Sequence, residues 1–175
     1  YNRSILKMIF SLTKSTLLST MLISAAIVTI QPIHAETSVR VKAIVQTNYD
    51  RINAAFVRKD IKGATALFTP DYVSISPEGQ KQTLAEFRTY YDNLFNRFNI
   101  KLTSNRTIVK NIAVNAEGLD VAIEQSTEGT VAGSNKIVIE QTSRNLWIKT
   151  SQGWRLKQSK ILTNQTTFNG ATFKG

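Results

Sequence analysis

The sequence of 175 residues contains no cysteine, which excludes disulfides, thiol nucleophiles and cysteine-ligated metals. Its single histidine is His34, so no histidine follows Ala35. A domain with neither residue is a poor host for zinc or copper, and it has no imidazole to serve as a general base. We therefore expect neither a metal nor another cofactor in residues 36–175.

Long runs of one charge are also missing. The 22 basic residues exceed the 12 acidic ones and give a formal net charge of +10, but they are scattered along the chain. Clustering of Lys and Arg, rather than their total, is typical of nucleic-acid binding. The sequence therefore predicts no nucleic-acid partner.

Residues 1–35 have the pattern of an export signal. Three basic residues, Arg3, Lys7 and Lys14, come before an apolar run, LLSTMLISAAIVTI, at Leu17 to Ile30. The run matches a signal peptide in length and is shorter than the ~20 residues that span a bilayer. We expect cleavage after Ala35 and a periplasmic or secreted domain. The alternative is an uncleaved anchor, which would be the protein's one contact with a membrane.

Three helices are predicted ahead of the β-sheet. One face of the first helix carries apolar residues at spacings of three and four. These residues are Val41, Val45, Tyr49, Ile52 and Phe56. Asp60 is placed to cap a short second helix that would end in the buried pair Leu67 and Phe68. After a short strand, Thr83 and Glu86 have the spacing of a capping box for the third helix.

From Ile100 the apolar period changes to two, which predicts four antiparallel strands joined by turns, one of them at residues 132–135. The apolar parity slips between Ile139 and Leu146, so we expect a β-bulge or a strong bend near Gln141 to Asn145. The predicted fold class is α+β, with a cone-shaped curved sheet packed against about three N-terminal helices. The domain would cover residues 36–165, followed by a flexible tail at 166–175.

Four segments, in this order and spacing, resemble the nuclear transport factor 2-like superfamily and its SnoaL-like members. They are AAFVRKDIKGATALFTPDYV, SPEGQKQTLAEF, RNLWIKT and SQGWRLKQS. The resemblance covers Val39 to Gln165 and implies a cone-shaped pocket and a homodimer formed through the outer sheet face. It implies no particular reaction, because the superfamily contains isomerases, dehydratases, hydrolases, cyclases and binding or assembly domains.

The resemblance also allows known catalytic positions to be tested. The general-base aspartate of the isomerases would fall on Ser76, which has no basic group, and the histidines of cyclase relatives would fall on Gln158 and Lys160. An epoxide hydrolase would need paired carboxylates beside an arginine. Glu124 and Glu140 with Arg144 could supply that set, but an ordinary cross-strand ion pair explains the same residues.

Three functions remain open at this point. The first is an exported module that binds a small amphipathic or anionic molecule in the cone. Its expected lining is Tyr49, Tyr72, Tyr91, Arg144, Trp147, Gln158 and Lys160. The second is a cofactor-independent isomerase, dehydratase or hydrolase that uses a tyrosine with Asp71, Glu124 or Glu140. The third is a dimeric assembly domain whose cone is filled by side chains.

Overall fold

The computed structural model describes residues 38–131 and 135–174. The leader at 1–35, its cleavage site and most of the turn predicted at 132–135 lie outside these residues. The helices are α1 (Ser38–Val57), α2 (Ile61–Ala64) and α3 (Leu84–Asn96). The strands are β1 (Phe68–Ile75), β2 (Lys81–Thr83), β3 (Lys101–Val114), β4 (Leu119–Val131), β5 (Asn135–Thr150), β6 (Gly153–Phe168) and β7 (Ala171–Lys174).

The helix starts follow from local sequence, as predicted. The apolar face of α1 is buried from Val41 to Phe56. Asp60 caps α2 by accepting a hydrogen bond from the Gly63 backbone N–H at 2.8 Å. A complete capping box of Thr83 and Glu86 begins α3. Since α2 ends at Ala64, the expectation that Phe68 ends a helix is wrong, and this residue begins β1 instead.

The strands form one sheet in the order β2-β1-β6-β5-β4-β3, with β7 paired to β6. All pairings are antiparallel except β1 with β6, which is parallel. The fold is α+β, with three helices on a large, curved and unclosed sheet, as predicted. None of the helices within the described part of the chain is both long and apolar enough to cross a membrane.

A register shift lies within the predicted range, between Thr142 and Ser143, but the extra residue belongs to β6 and not to β5. Strands β4 and β5 pair without interruption from Leu119↔Trp147 to Val131↔Asn135. The register shifts lie in β6, where Lys157 and Leu162 are the extra residues opposite β5. Odd-numbered residues of β5 therefore face the inner side along the whole strand. The apparent shift in the apolar pattern arises because the inward residues change from apolar to polar along the strand.

The predicted loose tail instead adds to the sheet. Strand β6 continues through Phe168, and a turn at Asn169 and Gly170 leads into β7. Both turn residues have positive φ, 48° and 84°, which suits a tight hairpin between antiparallel strands. The edge of β6 beyond its pairing with β1 is thus covered by the chain's own C-terminal segment.

A cone-shaped cavity between helices and sheet

A cavity of about 660 Å³ lies between the helices and the inner face of the sheet. Its helical wall is aromatic. The ring centroids of Phe87 and Tyr91 on α3 are 4.7 Å apart, and Phe87 also contacts Tyr72 on β1 at 5.6 Å. Phe56 on α1 lies 4.7 Å from Tyr91. These rings pack against one another and present a continuous apolar surface to the cavity.

The opposite wall is the inner face of the sheet, and much of it is polar and uncharged. On β5 the inward residues change from Ile137 and Ile139, which are partly exposed, to Gln141 and then to Ser143 and Asn145. Ser143 and Asn145 each retain only 2% of their exposure. Alternation along a strand places residues of one parity on one face, so β5 supplies this whole series to the cavity.

Tyr49 lies at the buried end of the cavity and is held by two hydrogen bonds. Asn145 Nδ2 donates to the Tyr49 hydroxyl oxygen at 2.6 Å, and Trp147 Nε1 donates to the same oxygen at 2.9 Å. Burial raises the pKa of Tyr49 far above its ordinary value, so the hydroxyl stays protonated. The Oδ1 atom of Asn145 is buried and has no hydrogen-bond partner among the described residues.

Other polar side chains in the wall satisfy one another. Asn105 Oδ1 accepts hydrogen bonds from Gln125 Nε2 and from Thr127 Oγ1, each at 2.9 Å. The Thr107 hydroxyl donates to Asn53 Oδ1 at 3.2 Å. The amide oxygens of Asn105 and Asn53 thus have partners among the described residues, and the buried Oδ1 of Asn145 does not.

Charge is confined to the mouth of the cavity. Among the described lining residues, Lys81 is the one cation and Glu86 the one carboxylate, and both are exposed. Glu86 accepts hydrogen bonds from the Thr83 backbone N–H at 2.7 Å and from its hydroxyl at 2.8 Å, which lower the pKa of its carboxyl. The interior therefore offers hydrogen-bonding groups and apolar surface without a counter-charge for an ion.

Residues 49–163 of this chain match the SnoaL-like domain. The chain belongs to the SnoaL-like domain family. The matched stretch begins at Tyr49 in the cavity and ends within β6. No curated protein matches the sequence.

Solved structures resemble this SnoaL-like domain over most of its length. A candidate aromatic ring hydroxylase from Novosphingobium aromaticivorans is 15% identical, with a TM-score of 0.59 over 75% of this chain and 96% of its own. A candidate scytalone dehydratase from the same organism is 14% identical, with a TM-score of 0.58 over 74% and 87%. A nuclear transport factor 2-like protein from Salmonella enterica is 14% identical, with a TM-score of 0.58 over 71% and 92%. At these identities the likeness concerns the fold alone.

The four predicted aromatic site residues lie on the inner side of the SnoaL-like domain. Tyr49, Tyr72 and Tyr91 line the cavity together. Burial raises the pKa of Tyr72 and of Tyr91 as well. Trp147 is fully buried behind Tyr49 and orients its hydroxyl without lining the cavity.

The other three predicted ligand-binding residues lie on the opposite face of the sheet. Arg144 and Lys160 are cross-strand neighbours there, and Gln158 is the neighbour of Leu146. Arg144 forms an ion pair with Asp120, rather than with the glutamates considered from sequence. The side chain of Arg144 is 57% exposed, so this pair contributes at most about 1 kcal/mol to stability.

None of the three carboxylates considered for catalysis lines the cone cavity. Asp71 is exposed and lies 4.0 Å from Lys157. Glu124 forms an ion pair with Lys110 at 3.1 Å. Glu124 and Glu140 line an adjoining outer cleft of about 1070 Å³, which shares Ser76, Gln125 and Gln141 with the cone cavity. The structure thus separates these carboxylates from the tyrosines.

Sequence reasoning missed Gln141, Ser143 and Asn145 as site residues. Their signal was present in the apolar pattern of β5, where polar residues occupy three successive inward positions. Polar residues at inward positions of a central strand are unusual unless they hydrogen-bond or face a cavity. Polar residues at these inward positions interrupt the apolar alternation of β5 in the same way as the bulge predicted from sequence would.

Proposed function

We propose that this SnoaL-like domain is an exported binding module whose small amphipathic ligand occupies the cone cavity. The observation that carries the proposal is the cavity of about 660 Å³, with aromatic rings on one wall and uncharged polar side chains on the other. Ligand sites are commonly ~300–1,000 Å³ and combine apolar surface with a few convergent polar groups. Export is supported by the basic and apolar pattern of residues 1–35.

A cofactor-independent enzyme has less support. Acid–base catalysis on a neutral substrate needs a group whose pKa is tuned towards the working pH. The pKa of Asp71 is lowered, chiefly by the neighbouring Thr69 hydroxyl, which is the wrong direction for such a base. The tyrosine pKa values are raised away from neutrality. The described lining residues offer donors and acceptors for binding, and the pKa of the one carboxylate among them, Glu86, is also lowered.

An assembly domain with a filled cone is also less well supported. Phe56, Phe87 and Tyr91 pack on the helical side and leave the space in front of β5 open. Open space lined by Gln141 and Ser143 stabilises no fold by itself, because those side chains lose water contacts without gaining packing. A ligand that fills the space offsets that cost.

Native mass spectrometry of the protein purified without refolding tests the proposal. We expect a population heavier than the chain by the mass of a small organic molecule, which is lost on denaturation. A chain that carries no molecule, and whose melting temperature does not change with any compound of a chemically diverse library, would refute the binding function.

A further inference from the structure

The cavity lining on β5 changes from apolar to polar towards the closed end. At the end away from Asn145, Ile137 and Ile139 of β5 are joined by Leu102 of β3, and the charged residues Lys81 and Glu86 lie at the mouth. Its closed end contains Ser143 and Asn145, both almost completely buried. From Ile137 to Asn145 the strand covers about 27 Å at ~3.4 Å per residue, so the two ends are well separated.

The Asn145 amide has an unused hydrogen-bonding atom at this closed end. With Nδ2 directed at Tyr49, its Oδ1 has no partner in residues 38–131 or 135–174. With the amide rotated by 180°, Oδ1 would accept the Tyr49 proton and Nδ2 would lack an acceptor instead. In either orientation one atom of this buried amide has no partner in the described part of the chain. Buried polar groups of native proteins are normally satisfied, so a molecule from outside the chain, either a ligand group or an ordered water, is the natural partner.

An ion has no matching group at this end. The charged lining residues, Lys81 and Glu86, are exposed at the mouth, and the Glu86 carboxylate is engaged by Thr83. Transfer of a carboxylate or ammonium group from water into an uncharged interior is strongly unfavourable without a partner charge. The closed end therefore accepts a polar group only in uncharged form.

We infer that the ligand is an uncharged amphipathic molecule that enters with its polar end first. A hydroxyl, carbonyl or amide group of the ligand pairs with Asn145, and its apolar body lies along Ile139 and Ile137 towards the mouth. This inference rests on the proposed binding function. It specifies the charge of the ligand and its direction in the cavity, which the binding function alone does not.

The probes are 1-octanol and octanoate, which share a chain length and differ in charge at neutral pH. Affinities are measured by NMR titration of the protein, with the Asn145 side-chain amide and the isoleucine methyl groups as reporters. We expect octanoate to bind at least about tenfold more weakly than 1-octanol. The alcohol is expected to shift the Asn145 amide signals, and Asn145→Ala to weaken it by about fivefold or more.

Thr142→Ala is the matched control, because Thr142 precedes Ser143 on the same strand and faces outward to Thr163 at 2.7 Å. The comparison of the two probes on the unaltered protein does not depend on whether Asn145→Ala folds. Octanoate binding as tight as 1-octanol binding overturns the inference. So does an alcohol whose affinity is the same in Asn145→Ala and Thr142→Ala.

The inference and the binding function fail in different ways. A copurified molecule that is charged at neutral pH, such as an organic acid, overturns the inference and leaves the binding function standing. Failure of both probes together with absence of any copurified molecule removes both.

Discussion

Trp147 Nε1 lies 2.9 Å from the Tyr49 hydroxyl oxygen, and the two rings meet edge to face with their centroids 5.2 Å apart. Trp147 comes from β5 and Tyr49 from α1, so the contact ties the first helix to a central strand at the closed end of the cavity. The indole supplies both packing area and a donor that fixes the direction of the tyrosine oxygen. One predicted site residue thus positions another.

Replacement Tyr49→Phe should lower the free energy of unfolding by about 1–3 kcal/mol, because the buried donors of Trp147 and Asn145 lose their acceptor. Urea denaturation measures the effect. Tyr91→Phe is the control. It also removes a tyrosine hydroxyl, but one that makes no hydrogen bond to any described residue. Equal losses in the two variants would contradict the assigned network.

Stability should fall at alkaline pH. Burial raises the pKa values of Tyr49, Tyr72 and Tyr91, so the folded state retains protons that the unfolded chain releases near pH 10. The free energy of unfolding is unaffected by these groups below that pH and decreases as the pH rises above it. Urea denaturation between pH 8 and pH 11 measures this decline. The free energy of unfolding should decline less steeply with pH in Tyr91→Phe than in the unaltered protein. Equal declines in the two proteins would exclude Tyr91 as a cause of the alkaline destabilisation.

Removal of the α3 cap by Thr83→Ala should cost about 1 kcal/mol of stability. Hydrogen bonds from Thr83 lower the pKa of Glu86 in the folded protein. Their contribution to the free energy of unfolding is therefore present above the pKa that Glu86 has in the unfolded chain, and it is lost as the pH falls through the pKa that Glu86 has in the folded protein. The difference between the variant and the unaltered protein should therefore shrink in acid. Thr89→Ala, on an exposed position within α3, is the control and should show no such pH dependence.

Variants of the outer sheet face should leave ligand binding unchanged. Arg144→Ala removes the ion pair with Asp120 and should cost at most about 1 kcal/mol of stability. Lys160→Ala truncates Lys160, the exposed cross-strand neighbour of Arg144 on β6. The affinity for any ligand found in the cavity should stay within twofold in both variants. A larger loss would place the binding site on the outer face of the sheet around Arg144 and Lys160 instead of in the cone.

Local signals in the sequence predicted the helical layer well. The Asp60 cap and the box of Thr83 and Glu86 depend on residues three apart, so the chain specifies them without its tertiary structure. The apolar face that includes Val45 and Ile52 is likewise set by helical period. The fold class followed from these elements and from the alternating strands that come after them.

The site was harder to predict because it depends on register between strands. Arg144 pairs with Asp120 on the neighbouring strand, and sequence alone does not fix which carboxylate lies across from it. The extra residues Lys157 and Leu162 in β6 reverse the face of each later residue, so inward and outward positions could not be read from parity. Of the two, only Lys157 precedes Gln158 and Lys160, and it turns both residues out of the cavity in which the family resemblance placed them.

The central claim is that the cone cavity holds a ligand, and filling it from β5 tests the claim most directly. Native mass spectrometry should compare ligand occupancy in Ser143→Leu, which places a larger side chain in the cavity, with that in Thr142→Leu, which places the same side chain on the outer face. Our account predicts that Ser143→Leu loses the bound molecule while Thr142→Leu keeps it. Equal occupancy in two folded variants would contradict it.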